Sequence, residues 1–295
     1  MLPQRYLIAG LDALSRAFTK PEWSWDEFMN GHRGAGMAAS YLLLHDRLVE
    51  PESTDAIKAM LDREWTNRPL YAPMPADPSA PAQLERLLQA LGRSFGTARH
   101  IGHDVIYPTF ALRVFRLLPE TITARRIDGL CTMAQVYALQ EKRPAAPEQP
   151  FDPAAYSAWV LESFLQCIHR SATPGGSGHL LTFGYAVIDL HLLGYAELCR
   201  KAEIGHRELV EMLMGKPEDS PLQTYEKPDW IRHDPHLAGH WREQPADTLE
   251  KTNGHAPKYA YAFLGLCAQV GEGALVAKAR EHYFHVYGGR SKPKA

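Results

Sequence analysis

Apolar residues recur along this chain at steps of three and four, the period of a helix face, and nowhere alternate over the length of a strand. Ile57, Met60, Leu61 and Trp65 form one such stripe. Stripes of this kind predict amphipathic helices at about 4–18, 82–95 and 154–168, with others at about 54–65, 122–139, 206–214 and 274–287. Between them lie four segments, 37–44, 110–118, 183–190 and 259–266, that are apolar around most of the helix circumference. A helix of that character is buried on all sides. The pattern therefore predicts an all-α fold with these four helices at its centre.

Each central segment follows a Gly-His pair: Gly31-His32, Gly102-His103, Gly178-His179 and Gly254-His255. The histidines stand 71, 76 and 76 residues apart. The flanks echo one another as well, since Asp152-Pro153 and Asp234-Pro235 each precede a tryptophan, Trp159 and Trp241, by the same interval. Self-similarity at a near-fixed period marks a repeat architecture. The expectation is a single domain of about twelve helices in four diverged three-helix repeats, about 1–70, 71–145, 146–220 and 221–295, arranged as an α/α toroid or solenoid-like array. The proline-rich stretch 216–245 interrupts the pattern and reads as a lid or a site wall. Residues 145–150 form a second breaker cluster, and the basic tail 288–295 reads as frayed.

Composition narrows the class. A chain of 295 residues with 45% apolar side chains buries a sizeable core without staples. Lys and Arg total 32 against 34 Asp and Glu, a balance without the electrostatic footprint of a nucleic-acid or anionic-membrane binder. Cys131, Cys167, Cys199 and Cys267 are scattered singly in apolar helical stretches, which reads as free buried thiols in a reducing compartment. Asp12 interrupts the first apolar stretch, no signal-peptide pattern follows, and no run reaches the roughly 18 apolar residues of a membrane span. A cytoplasmic protein with a small-molecule partner is the expectation, with the oligomeric state left open.

The repeated histidines are the candidate chemistry. Asn30, Ser177 and Asn253 stand two residues before three of them, and Pro257 follows His255, so these rings are expected at helix starts. The positive end of the helix dipole would keep such a ring neutral. A neutral imidazole can ligate a metal, accept a proton or bind a substrate oxygen. In a closed array equivalent positions share one end, which makes His32, His103, His179 and His255 candidate catalytic residues around a common cavity. The plainer reading has each ring capping its own helix or bonding a loop carbonyl. A metal, if one binds, would sit on His103, His179 and His255, although no carboxylate or i, i+4 histidine partner recurs with them. Tyr107, Phe183 and Tyr259 each lie four residues after a repeat histidine, with Tyr185 and Tyr261 close by. They would wall a flat apolar substrate pocket, and ordinary core packing explains them equally well.

Other candidates carry less. His233, His236 and His240 have an H-x2-H-x3-H spacing beside Asp234, a metal site or simply a polar loop edge. Arg113 and Asp189 each lie ten residues after a repeat histidine on apolar helices, and read as an ion pair, or with Asp189 alone as an acid or base. His282 and His285 read as surface residues. Gly175-Gly176-Ser177-Gly178 has neither the preceding strand nor the Lys-Ser/Thr sequel of a phosphate loop, and 31–36 fails the dinucleotide fingerprint for want of a strand. No nucleophile elbow or H-E-x-x-H motif occurs.

Three stretches, Phe28-Met29-Asn30-Gly31-His32, His103-Asp104-Val105-Ile106-Tyr107-Pro108-Thr109-Phe110-Ala111-Leu112 and His255-Ala256-Pro257-Lys258-Tyr259-Ala260-Tyr261-Ala262, touch about a third of the chain. Through them the chain resembles the questin oxidase-like family, helical proteins that include cofactor-poor Baeyer–Villiger-type oxygenases. The resemblance implies oxygen-dependent, NADPH-consuming oxidation of a small aromatic or polyketide-like ketone. It marks His32, His103 and Lys258 as the matched positions nearest the site. Three functional expectations follow: an oxygenase-like oxidoreductase with a His- and Tyr-lined apolar cavity, a hydrolase or lyase dependent on a transition metal held by the ring histidines, and a non-catalytic helical-repeat binding protein.

Overall fold

The computed structural model describes residues 2–138, 150–168, 176–215, 233–245 and 248–287. Regular structure among them is helical, and the one extended pairing is an isolated antiparallel bridge between Ser79 and Thr123. Most of the proline-rich stretch, Gly175 and the basic tail lie outside the described residues. In chain order the helices are α1 (Gln4–Ser15), α2 (Trp25–His45), α3 (Thr54–Glu64), α4 (Leu84–Ser94), α5 (His103–Leu117), α6 (Ala124–Val136), α7 (Pro153–Cys167), α8 (Gly176–Leu192) and α9 (Ala196–Met214). The short α10 (Ala238–Arg242) and α11 (Thr248–Lys251) lead to α12 (His255–Val270) and α13 (Ala274–His282). None of these helices is long and apolar enough to cross a membrane.

Local chemistry sets several helix ends. Asp152 accepts from the backbone N–H groups of Ala154 and Ala155, with Pro153 in the first turn of α7, where its missing N–H costs nothing. Thr123 caps α6 through the Arg126 amide. Asp26 and Glu27 place negative charge on the first turn of α2, the favourable end of its dipole.

The four apolar segments lie on α2, α5, α8 and α12, and nearly every residue along them is buried. These helices pack in cyclic order: α2 touches α5 and α12, and α8 touches the same two. Amphipathic helices surround them, with α1 against α2 and α6, α4 against α6, α7 against α8 and α12, and α9 against α8. A fully hydrophobic helix needs such a jacket, because it has no polar face to give to water.

Asp46 at the C-terminal cap of α2, Arg113 of α5, Asp189 of α8 and Tyr261 of α12 meet toward the C-terminal ends of the central helices. Arg113 lies 2.7 Å from Asp46 and 3.7 Å from Asp189. The Tyr261 hydroxyl, with one hydrogen to give, lies 3.0 Å from an Asp46 oxygen and 3.4 Å from an Asp189 oxygen. The ion pair expected of Arg113 and Asp189 is therefore a four-residue knot in which Asp46, unmarked by any repeat, is the closer partner. Burial pushes the Asp189 carboxyl up to about 6 against the pull of Arg113. His206 of α9 is buried elsewhere: its Nε2–H donates to the Leu180 carbonyl at 2.9 Å, and the Tyr156 hydroxyl donates to its Nδ1 at 2.6 Å. Burial lowers that ring to about 3.

Candidate metal centre

The Gly-His pairs have a steric origin. A methyl group on Gly31 would run into the ring of Tyr107, on Gly102 into Phe183, and on Gly178 into Tyr259. Each of those aromatics stands four residues after the histidine of the next central helix. At the fourth junction Gly254 lies against Trp65 and the His32 carbonyl, while Gly36, four residues after His32, leaves the room. The glycine thus lets one helix start slide under the neighbouring ring, so the histidine beside it reaches the axis. Gly102 also has φ of +88°. Gly102→Ala is expected to destabilise the protein by roughly 2–4 kcal/mol, through left-handed strain added to overpacking on Phe183. Urea titration checks this, and a loss below about 0.5 kcal/mol, the scatter of a neutral surface change, would overturn the steric account.

Two histidines open their helices from strained turns. His103 follows His100, Ile101 and Gly102 at φ 45°, 53° and 88°, and His255 follows Asn253 and Gly254 at φ 50° and 76°. In both turns the ring Nδ1 bonds the carbonyl three residues back, that of His100 or Thr252. A carbonyl only accepts, so Nδ1 carries the hydrogen and Nε2 presents its lone pair. Holding non-glycine residues in this region costs of order 1–3 kcal/mol each, and such strain concentrates at functional sites.

His179 lies in the first turn of α8, its Nδ1 3.2 Å from the Tyr259 hydroxyl. His32 departs from expectation. It sits two turns inside α2, which starts at Trp25 after Ser24, so Asn30 is helical interior rather than a cap. The acidic turn at Asp26 and Glu27 had already begun the helix. Asn253 is likewise not the cap of α12; Gly254 is. The His32 Nδ1 meets Lys258 Nζ, so every one of the four rings has a partner on its Nδ1.

The imidazoles form a quadrilateral in the cyclic order of their helices. Neighbouring ring centroids are 4.4 Å apart for His32 and His103, 4.7 Å for His103 and His179, 5.0 Å for His179 and His255, and 4.3 Å for His255 and His32. One nitrogen from each ring lies within 4.8 Å of the others. His179 Nε2 is 3.2 Å from His103 Nε2 and 3.3 Å from His255 Nε2. Its single ring hydrogen can satisfy only one of those two lone pairs, so at least one receives no hydrogen from His179. Such an arrangement fits a cation placed between them. Metal expected on His103, His179 and His255 alone would have His32 as a fourth neighbour.

His32, His103 and His179 are 2%, 0% and 5% exposed, and His255 is half-buried. Burial first, and then Lys258 and the other histidines, hold His32, His103 and His255 well below the usual imidazole range. Burial alone does the same to the Lys258 ammonium. Neutrality here comes from desolvation, where the sequence suggested the helix dipole. Neutral imidazoles are the metal-binding form.

On the α8 and α12 side a cavity of about 410 Å³ has His179 and His255 in its wall, with Pro245, Thr248, Thr252, Asn253, Tyr259 and Tyr287 around it. On the α2 and α5 side Phe28 packs edge-on against His32 at 4.8 Å and His103 at 4.6 Å. The expected aromatic wall is only partly realised. Tyr259 lines the cavity, and Tyr107 lies behind the cluster, donating to the Phe28 carbonyl at 3.1 Å. Phe183 packs over Gly102 and against His206 at the α5–α8 junction instead, while Tyr185 and Tyr261, two residues beyond the +4 position, turn to the Asp189 knot because helix rotation carries them to another face. Lys258 meets His32 and lines a small gap together with Asp189 and Tyr261 of that knot. His233, His236 and His240 do not converge: they bond Glu243, the Leu48 carbonyl and the His233 carbonyl respectively. His282 and His285 stack on each other half-buried rather than standing free at the surface. The loop residues Thr252 and Asn253 had no periodicity to announce them.

No protein-family model matches the chain, and no curated protein or solved structure is detectably similar to it.

Proposed function

We propose that the four histidines bind one divalent first-row transition-metal ion, and that the chain is an oxygen-dependent oxidoreductase acting on a small aromatic or polyketide-like ketone. The observation that carries the reading is the convergence of four imidazoles, each with a partner on its Nδ1. Fixing Nδ1 and freeing Nε2 is how proteins orient histidine ligands. Imidazole donors suit iron, copper, zinc and nickel. When bound, such an ion supplies a Lewis-acidic and, for iron or copper, redox-active centre. The residues do the rest: Tyr259 and Tyr287 offer flat faces for an aromatic substrate, and Thr248, Thr252 and Asn253 offer polar contacts.

The questin oxidase-like resemblance supports the oxygenase half, since its matched stretches hold three of the four histidines and Lys258. We also read the cyclic packing of the central helices as four diverged repeats closed in a toroid, with each glycine seating the next repeat's aromatic. The same centre would serve a hydrolase or lyase, with Lys258, whose ammonium form burial disfavours, as the nearby group to exchange a proton, so the test separates the two. Purified protein is reconstituted without oxygen using Fe(II), Cu(II) or Zn(II), and its metal content is measured by mass spectrometry. Oxygen uptake then follows addition of hydroxylated aromatic ketones, with and without NADPH. One ion per chain and ketone-dependent oxygen uptake are expected. Folded protein that retains no ion would overturn the metal centre, and ketone turnover without oxygen uptake would favour the hydrolase or lyase.

A further inference from the structure

We propose that Trp23 and His100 are positioning residues for this centre, their stacked rings holding the left-handed turn whose carbonyl orients His103. The inference rests on the metal-binding reading above and concerns how one ligand of that site is aimed.

Trp23 is 46% exposed, and Trp25 beside it is 61% exposed. An indole left that open contributes little to the core, yet Trp23 lies nearly parallel to His100, at 5.6 Å and 9°. His100 has φ 45°, and Ile101 after it has φ 53°. For a β-branched residue that region is a true outlier, and it persists only where the surroundings over-determine it. Although His100 is exposed, three aromatic rings meet its imidazole: Trp23 on its face, Tyr137 edge-on at 5.4 Å and Phe28 tilted at 6.2 Å. Phe28 also touches Trp23, Trp25, His32 and His103, so the segment carrying Trp23, Trp25 and Phe28 brackets both the turn and two ligands.

What the turn delivers is the His100 carbonyl on His103 Nδ1. That bond selects the tautomer whose Nε2 faces His179. The turn before His255 performs the same task through Thr252, and there too a tryptophan, Trp65, lies against the left-handed glycine. A turn needed only to change chain direction would be least strained with glycine at position 100. Histidine there fits a requirement for the ring.

The test uses the full chain and cobalt(II), whose visible absorption reports ligand geometry. Trp23→Ala and His100→Gly are each expected to weaken cobalt affinity by about 10–100-fold, the usual effect of losing a group that orients a ligand, and to shift the absorption band. Trp23→Phe, which keeps a stacking face, should restore most of the affinity. His100→Gly relieves the left-handed strain, so its thermal midpoint should equal or exceed that of the unchanged protein while its affinity falls. Folded His100→Gly with unchanged affinity and spectrum would overturn the proposal. If the unchanged protein binds no cobalt, the metal reading fails, and nitrogen NMR of the histidine rings then decides the positioning role alone. A His103 tautomer that becomes mixed in either variant supports it, and one that stays on Nδ1–H in both refutes it.

Discussion

His179→Ala is expected to abolish stoichiometric metal binding while leaving the helical fold in place. This ring stands next to two others, with Nε2 3.2 Å from His103 and 3.3 Å from His255. Its loss removes one donor, the corner opposite His32, and opens the quadrilateral between His103 and His255. The effect should exceed the roughly 10–100-fold that loss of an outer partner costs. Tyr259→Phe provides that smaller comparison, because it removes the hydroxyl 3.2 Å from His179 Nδ1 and keeps the ring beneath Gly178. The pair should rank as unchanged protein, then Tyr259→Phe, then His179→Ala, in affinity measured by calorimetry with any ion the protein retains. Were the histidines only packing elements, His179→Ala would lower stability and leave metal retention unaltered.

Acidification is expected to remove up to about 5 kcal/mol of stability through His206 alone. The folded ring titrates at about 3, against 6.5 for an ordinary imidazole. Between those values the unfolded chain binds a proton that the folded chain refuses. Stability is therefore fully present above pH 6.5 and is lost as the pH falls toward 3. Urea titrations at pH 7 and 4.5 should differ by roughly 2.5 kcal/mol more in the unchanged protein than in His206→Gln. Glutamine can still donate to the Leu180 carbonyl and does not titrate, so the variant starts lower at pH 7 and falls less. The depressed histidines of the cluster act in the same direction and cancel in this comparison. Parallel acid limbs would show that His206 keeps its proton affinity in the folded state.

Much of this arrangement was legible because burial and sterics write on neighbouring residues. The apolar segments located α2, α5, α8 and α12, and the recurring Gly-His pairs located the four rings, since glycine admits the next helix's aromatic at three junctions and Trp65 at the fourth. What sequence could not show depends on angle. Tyr185 and Tyr261 share helices with the cluster, yet helix rotation carries them away from the cavity, and Phe183 has the register of Tyr259 but packs at the α5–α8 junction. Three consecutive left-handed residues before His103 include an isoleucine, whose intrinsic preference argues against that turn. Asp46 lies beyond the repeated positions, and its meeting with Arg113 required knowing where α2 ends. His32 was misplaced at a helix start because an asparagine two residues upstream resembles a cap even when it sits mid-helix.

The four rings belong to helices spread along the sequence from α2 to α12, and no two are near neighbours in the chain. A polypeptide emerging from the ribosome has three of them made long before α12 arrives, so a coordination sphere built from all four could not assemble during most of synthesis. On the metal-binding proposal, capture of an ion would then be a late event, coupled to docking of α12 between α2 and α8. A proteolytic cut that frees α12 would release the ion together with the helix. Metal occupancy would accordingly serve as a seal on a finished chain, and its loss as an early sign that the last central helix has come away.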